Sequence, residues 1–394
     1  MGRLNDIIEK YADSSPVRFH MPGHKGRFSD ALNYSRDVTE LFFTDNLYEP
    51  DPGTNLIFEL EDRISNCFFP GKDKKINSLI SCSGATLCIH SAILSLHTAK
   101  KDAKYIICDR ASHISFMNII SLLKITPLWI YPDEDFAGKT GDFANDKKSE
   151  EIIGVFVTSP DYFGGMKNIK NISEKCKKYS LDLIVDNSHG AHLAFYEKGK
   201  LHPINLGADI SVDSIHKTLP ALTGAALLHA KADLCEKSLL KDSMKVFAST
   251  SPSYLILQSI EKAVDWLEIH GEKQHSDLIL EIDLFRQRAA GLGFVFENGK
   301  SRDPYRIVLG CENAGEKLYY FLARKNIVCE FYTKDRVILI PSISNCPEDF
   351  GRLFGELQIF AKKNKIIPVN PDIYTYPPGT IKNLGKDEVG LCSL

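Results

Sequence analysis

From Ile57 onward, short apolar runs alternate with longer amphipathic stretches, and this pattern limits the possible folds more than any other feature of the chain. Strands that alternate with helices build a mostly parallel sheet with helices over it. The expected strands are Ser78 to Cys82, Tyr105 to Cys108, Pro127 to Tyr131, Ile152 to Val157, Leu183 to Val185, Ile210 to Val212 and Ala225 to His229. Helical period fills stretches around Ala85 to Leu96, Phe116 to Leu123 and Ile172 to Tyr179. A long helical region, Tyr254 to about Leu292, leads into a second α/β segment with strands at Tyr305 to Leu309 and Val337 to Ile340. Helices at Ala314 to Lys325 and Pro347 to Lys362 flank those strands. The expected organisation is an N-terminal arm (1–55), a large α/β domain with a seven-stranded, mostly parallel sheet (56–270) and a smaller C-terminal α/β domain (271–394).

At 394 residues the chain can bury a large core. Its 48 Lys and Arg residues are interspersed with 51 Asp and Glu for a net charge of −3, so it carries no basic field for a nucleic-acid partner. No run of eighteen apolar residues suits a membrane span, and the polar start MGRLNDIIEKYADSS lacks the apolar core of a secretion signal. A cytoplasmic location is expected. Ten cysteines are scattered without the close pairs of metal ribbons or thioredoxin-like motifs, which suits buried reduced thiols. No internal repeat is present.

In open α/β sheets, ligands collect outside the carboxyl ends of the strands. The residues capable of chemistry fall at such ends. Lys217 follows an alternating apolar stretch in ADISVDSIHKTLPALTGAALLHA, where partial desolvation can lower an amine's pKa and let it form an imine with an aldehyde. Asp186 ends LDLIVD about thirty residues earlier and can hold a proton on a pyridine nitrogen, keeping such a ring an electron sink. This pair points to pyridoxal 5'-phosphate. Ser83-Gly84-Ala85-Thr86, between a strand and a helix, suits a phosphate at a helix N-terminus, though a plain N-cap has the same composition. His113, just inside the next helix, is either a cap or a flat ring to stack on a cofactor. Ser159 and Tyr162, in GVFVTSPDYFGG, reach towards the cofactor rim.

The pairs His20/His24 and His189/His192 invite a metal reading, but the Gly and Pro between them suit turns, and no metal is expected. A serine hydrolase is disfavoured because no Gly-x-Ser-x-Gly elbow occurs at a strand-to-helix turn.

Seven ordered segments over about residues 17 to 260 resemble the ornithine/lysine/arginine decarboxylase family of bacterial type, fold-type I pyridoxal phosphate enzymes. They are VRFHMPGHKGRF, VTELFFTDNLYEPDPG, DRASHISF, VTSPDYFGG, VDNSHGAHLAF, DSIHKTLPALTGAALLH and STSPSYLIL. The resemblance implies Lys217 as the imine-forming lysine, Asp186 on the pyridinium nitrogen and His113 stacked on the ring. It also implies Ser83, Gly84, Ala85, Ser214 and His216 near the phosphate, with His189 beside the ring. Homodimers with active sites at the subunit interface follow from it too, with Asp45 or the 249–254 stretch serving the neighbouring site.

The chain departs from the family pattern in several places. Asp186-Asn187-Ser188-His189 stands where small members often read Asp-Glu-Ala-His, and Gly224 where many carry glutamine. The C-terminal portion is short and keeps Tyr376-Pro377-Pro378-Gly379 while the following pattern is degraded, leaving the substrate open. The N-terminal wing of the large inducible members is absent, so decamers built on it are not expected. The reaction implied is decarboxylation of a basic amino acid such as lysine, arginine or ornithine, releasing carbon dioxide and an amine, with Lys217 or His216 returning the proton. A cationic substrate needs a carboxylate, for which Glu388, Asp387 and Asp45 are candidates. The alternatives are another reaction on the same cofactor, such as transamination or elimination, and a non-catalytic binding protein.

Overall fold

The computed structural model describes residues 13–21, 23, 25, 56–71, 75–132, 134–147, 149–234, 237–250, 252–297 and 301–364. In chain order the main elements are β1 (Val17–Phe19), α1 (Leu56–Phe68), β2 (Ile76–Ser81), α2 (Gly84–Ala99), β3 (Tyr105–Asp109), α3 (Ile114–Leu122), β4 (Thr126–Ile130) and α4 (Phe136–Lys147). There follow β5 (Ile152–Thr158), α5 (Ile169–Lys178), β6 (Leu183–Asp186), β7 (Ile210–Asp213), the one-turn α6 (Ile215–Thr218), β8 (Ala226–Lys231), α7 (Lys237–Phe247) and α8 (Tyr254–Ala290). The remainder comprises β9 (Val295–Phe296), β10 (Ile307–Gly310), α9 (Gly315–Ala323), β11 (Ile327–Cys329), β12 (Phe331–Thr333), β13 (Arg336–Leu339) and α10 (Pro347–Asn364).

All seven strands expected of the large sheet enter one sheet, in the order β2-β8-β7-β6-β5-β3-β4. Its pairs are parallel except those of β8, which runs against both β2 and β7. Residues β5 and β6 bury on both faces identify them as central strands, since only a sheet covered on both sides removes every side chain from water. Alternate residues feed two apolar clusters: Ile106, Cys108, Phe156 and Ile184 into one, Ile107, Val155, Val157 and Val185 into the other.

The second sheet is antiparallel, β12-β13-β10-β9, and the 37-residue helix α8 runs from the large unit into it. Residues 270 and 271, where a domain boundary was expected, lie in the middle of that helix. The described part of the expected N-terminal arm is built into the second unit. Strand β1 pairs in parallel with β11, Val17 opposite Ile327, and the buried Phe19 ring packs edge-on against Phe350 at 5.5 Å. Strands β9 and β12, at two and three residues, are too short to show a period in sequence. The eight described cysteines form no disulfide with one another. No described helix is long and apolar enough to cross a membrane.

Gly23 shows why the N-terminal segment needs its glycine. Its N–H donates to the His216 carbonyl at 2.8 Å, and a Cβ there would lie 2.6 Å from the Thr218 carbonyl carbon and 2.7 Å from the Leu219 oxygen. Backbone on both sides cannot yield as a flexible side chain can. Gly23→Ala is therefore expected to cost about 1–3 kcal/mol and to shift the turn that carries Lys217. Paired thermal melts and activity measurements check this, and an unchanged variant in both would contradict the close approach.

Candidate active site

Two strands that end side by side place the central groups. β6 ends on Asp186 and its parallel neighbour β7 on Asp213, after which the single turn α6 carries Lys217. Lys217 Nζ lies 3.2 Å from His189 Nε2, and His189 Nδ1 lies 3.4 Å from Arg306 Nη2. A guanidinium can only donate, which assigns Nδ1 as an acceptor and the ring proton to Nε2. In that tautomer the Nε2–H faces the Lys217 amine. Burial pushes the Lys217 ammonium below its usual 10.5; Asp186 opposes this, Arg306 adds to it and Glu330 opposes it. Burial, followed by the charges of Lys217 and Arg306, drives His189 well below 6.5.

Asp186 is buried and its Oδ1 accepts from the Ser188 N–H at 3.1 Å and the Ser188 hydroxyl at 2.5 Å. Its charge reaches both Lys217 and His113. Ser188, one of the departures from the family pattern, therefore holds the carboxylate. Asn187, the other, donates to Asp213 Oδ1 at 3.0 Å.

His113 caps α3, with Nδ1 accepting from the Ser115 N–H at 3.1 Å. The cap fixes the ring, and burial lowers its pKa, with Asp186 opposing and Lys217 adding. His216 Nδ1 donates to the Ala225 carbonyl at 2.8 Å, which ties α6 to the start of β8 and fixes that ring's tautomer. Ser214 precedes α6 and Ser83 precedes α2, and neither hydroxyl makes a capping bond. Gly84 has φ +72°, and its N–H donates to Gly224 O at 2.8 Å. Gly224, with φ +101°, sits where a Cβ would meet Ile256 Cδ1 at 2.9 Å, so a glutamine is not accommodated in this backbone. Ser159 Oγ accepts from the Lys167 N–H at 3.1 Å, and Tyr162 places its ring 5.5 Å from His189 while its hydroxyl donates to Glu330 Oε1 at 2.8 Å.

The second unit contributes residues that the sequence did not reveal. Arg306 is buried immediately before β10, and its Nη1 has no hydrogen-bond partner among the described residues. Its signal was a charge inside the apolar run Tyr305 to Leu309. Asp303 positions it: Oδ2 lies 3.8 Å from Arg306 Nε while Oδ1 lies 2.8 Å from His192 Nε2. His192 in turn stacks on Tyr305 at 4.2 Å. Thus the two histidines of His-Gly-Ala-His face different partners, one Lys217 and the other Asp303.

Among the described residues, His202, Asp213 and His229 bring metal-type ligand atoms within 4.8 Å of one another. Hydrogen bonds account for the arrangement. His202 Nδ1 accepts from the Ile204 N–H at 3.3 Å, which leaves Nε2 to donate to Asp213 Oδ2 at 2.9 Å. His24, Asp45, Asp387 and Glu388 lie outside the described residues.

An arginine decarboxylase of Bacillus subtilis is 26% identical over 333 residues, covering 78% of this chain and 66% of that protein, so the chain spans just under two thirds of its length. The fold matches a lysine decarboxylase of Francisella novicida with a TM-score of 0.64 at 18% identity, over 81% of this chain and 52% of that one. It also matches a serine palmitoyltransferase of Sphingomonas wittichii with a TM-score of 0.66 at 13% identity, over 90% and 88%. The architecture is fold-type I. Residues 3–301 match the family described as Orn/Lys/Arg decarboxylase, major domain, and with most of the chain inside that match, the protein belongs to this family.

Proposed function

We propose that the protein is a pyridoxal 5'-phosphate-dependent decarboxylase of a basic amino acid. The observation that carries this is the buried amine of Lys217, its pKa lowered by burial, held against His189 within reach of the Asp186 charge, in a chain of the Orn/Lys/Arg decarboxylase family. The site suits that cofactor on its own terms. Asp186 is a buried carboxylate with no ion-pair partner among the described residues, as the partner of a pyridinium should be. The Ser83 hydroxyl and the first N–H groups of α2 beyond Gly84 are left without capping or helical partners, as a phosphate cradle requires.

When bound, the cofactor supplies an electron sink for the charge left at the substrate's α-carbon. Lys217 would hold it through its amine, Asp186 at the ring nitrogen and His113 on the ring face. Ser83, Gly84, Ala85, Ser214 and His216 would hold the phosphate, with His189 beside the ring. The Lys217 amine, whose pKa burial lowers, can return a proton at the α-carbon, while His189 holds it in place. Arg306 Nη1 can bind the substrate's α-carboxylate, which orients the bond to be broken.

Arg306 also favours a second reading. A buried guanidinium stabilises a carboxylate that must leave as neutral carbon dioxide, and this suits a reaction that keeps the carboxylate, such as transamination. Product analysis separates the two: with lysine, arginine and ornithine, amine plus carbon dioxide supports decarboxylation, and a keto acid or ammonia sinks it. A visible absorption band in the parent, absent from Lys217→Ala, tests the cofactor.

A homodimer with active sites at its interface completes the proposal. Ile114, next to His113, is 47% exposed and Val246 66% exposed. Their chain neighbours Ser115 and Phe247 both contact His90, which bonds the Ser115 carbonyl at 3.0 Å and packs on Phe247 at 5.3 Å, so the apolar exposure lies near the His113 end of the site. Light scattering on purified protein should give twice the monomer mass.

A further inference from the structure

Glu330 lies in the single-residue step between β11 and β12 and is gripped from two sides. Its Oε1 accepts from the Tyr162 hydroxyl at 2.8 Å and its Oε2 from the Met21 N–H at 2.9 Å. Both donors are neutral. Among the described residues no cation forms an ion pair with it, although Lys25 is nearby and buried. Lys25 gives its Nζ to the His20 and Ile340 carbonyls instead, at 2.6 and 2.8 Å, and burial lowers its pKa to about 7. Arg18 turns Nη1 to the Lys25 carbonyl at 2.9 Å. The carboxylate is thus fixed in place while its charge has no ion-pair partner among the described residues. Only two side chains separate it from the reacting amine: the Tyr162 ring meets His189 edge-on at 5.5 Å, and His189 holds Lys217. The charge of Glu330 is felt at Lys217 itself.

We infer that Glu330 is the residue that selects a cationic substrate side chain, taking the distal ammonium or guanidinium as its missing partner. A carboxylate already oriented by neutral donors loses little entropy when it binds a cation, and it is left without a counter-charge when the substrate's end group is neutral. Glu330 comes to the site through the β11–β12 step and not through a strand end of the large sheet. The inference rests on the amino-acid-decarboxylase reading above.

The test is equilibrium binding to the cofactor-loaded protein, followed by calorimetry and by the visible spectrum. Lysine is compared with norleucine and arginine with citrulline, pairs of similar length that differ in charge. The parent is expected to prefer the charged member, and Glu330→Gln to reduce that preference by about 10- to 100-fold while norleucine affinity stays nearly constant. Tyr162→Phe, which loosens the carboxylate without removing its charge, should give a smaller loss and serves if the glutamine variant does not fold. Folded variants that both keep the full preference overturn the assignment, as does a parent that binds lysine and norleucine equally. A parent with no cofactor band defeats the underlying reading as well, whereas a normal band with unchanged preference defeats Glu330 alone.

Discussion

Replacing Lys217 by alanine is expected to lower turnover by on the order of 10⁴-fold or more, the largest effect of any single change considered. The described structure places this amine on the turn after β7, beside the end of β6, against His189, where burial lowers its pKa and favours the nucleophilic free base. Removing it takes away a group whose charged form is already disfavoured in the fold, so stability should change little. Turnover and melting temperature measured together test both points. A loss of activity accompanied by a large fall in melting temperature would assign Lys217 a structural role. Retention of activity within tenfold would remove it from the chemistry.

Asp303→Ala should give the largest loss of stability, about 3–5 kcal/mol, because it deletes one partner of a buried ionic cluster and strands the other. Asp303 is 2% exposed and serves His192, Arg306 and the Tyr305 N–H at once. Burial raises its carboxyl pKa, but His192, Arg306 and the Tyr305 hydrogen bond outweigh that, leaving it below the usual 3.8. A depressed carboxyl contributes stability that is full above the unfolded-state value near 3.8 and is lost as pH falls below it towards the folded value. The stability of the parent should therefore fall in acid below about pH 4, and the alanine variant should lack that part of the slope. Asp303→Asn, which retains acceptors for Tyr305 and His192, should lie between the two. An alanine variant as stable as the parent at neutral pH would show that water or rearrangement replaces the carboxylate.

The large sheet was legible because its strands are long enough for apolar runs to stand out against their helices, and because central strands such as Ile152–Thr158 are apolar on both faces. Asp186 and Lys217 were legible for a related reason, as polar groups at the ends of such runs. Arg306, Asp303 and Glu330 were not, because they reach the site from elements of two to four residues whose pairing joins distant parts of the chain. Ser188 was visible only as a departure from a pattern, and its purpose emerged once its hydroxyl was found on Asp186. The double nature of His113 illustrates a different limit: capping a helix and facing a cofactor use different parts of one ring, and composition cannot separate them.

The pairing of Val17 with Ile327 sets a schedule for the molecule's birth. These partners lie about 310 residues apart, so at 5–20 residues per second the first strand waits roughly 15–60 s on the ribosome before its mate is made. The His216 carbonyl that Gly23 bonds is made part-way through that interval, while the Ser342 hydroxyl that also holds Gly23 and the Glu330 that takes Met21 come only after it. The contacts that fix the segment beside the turn of Lys217 are thus among the last to be made.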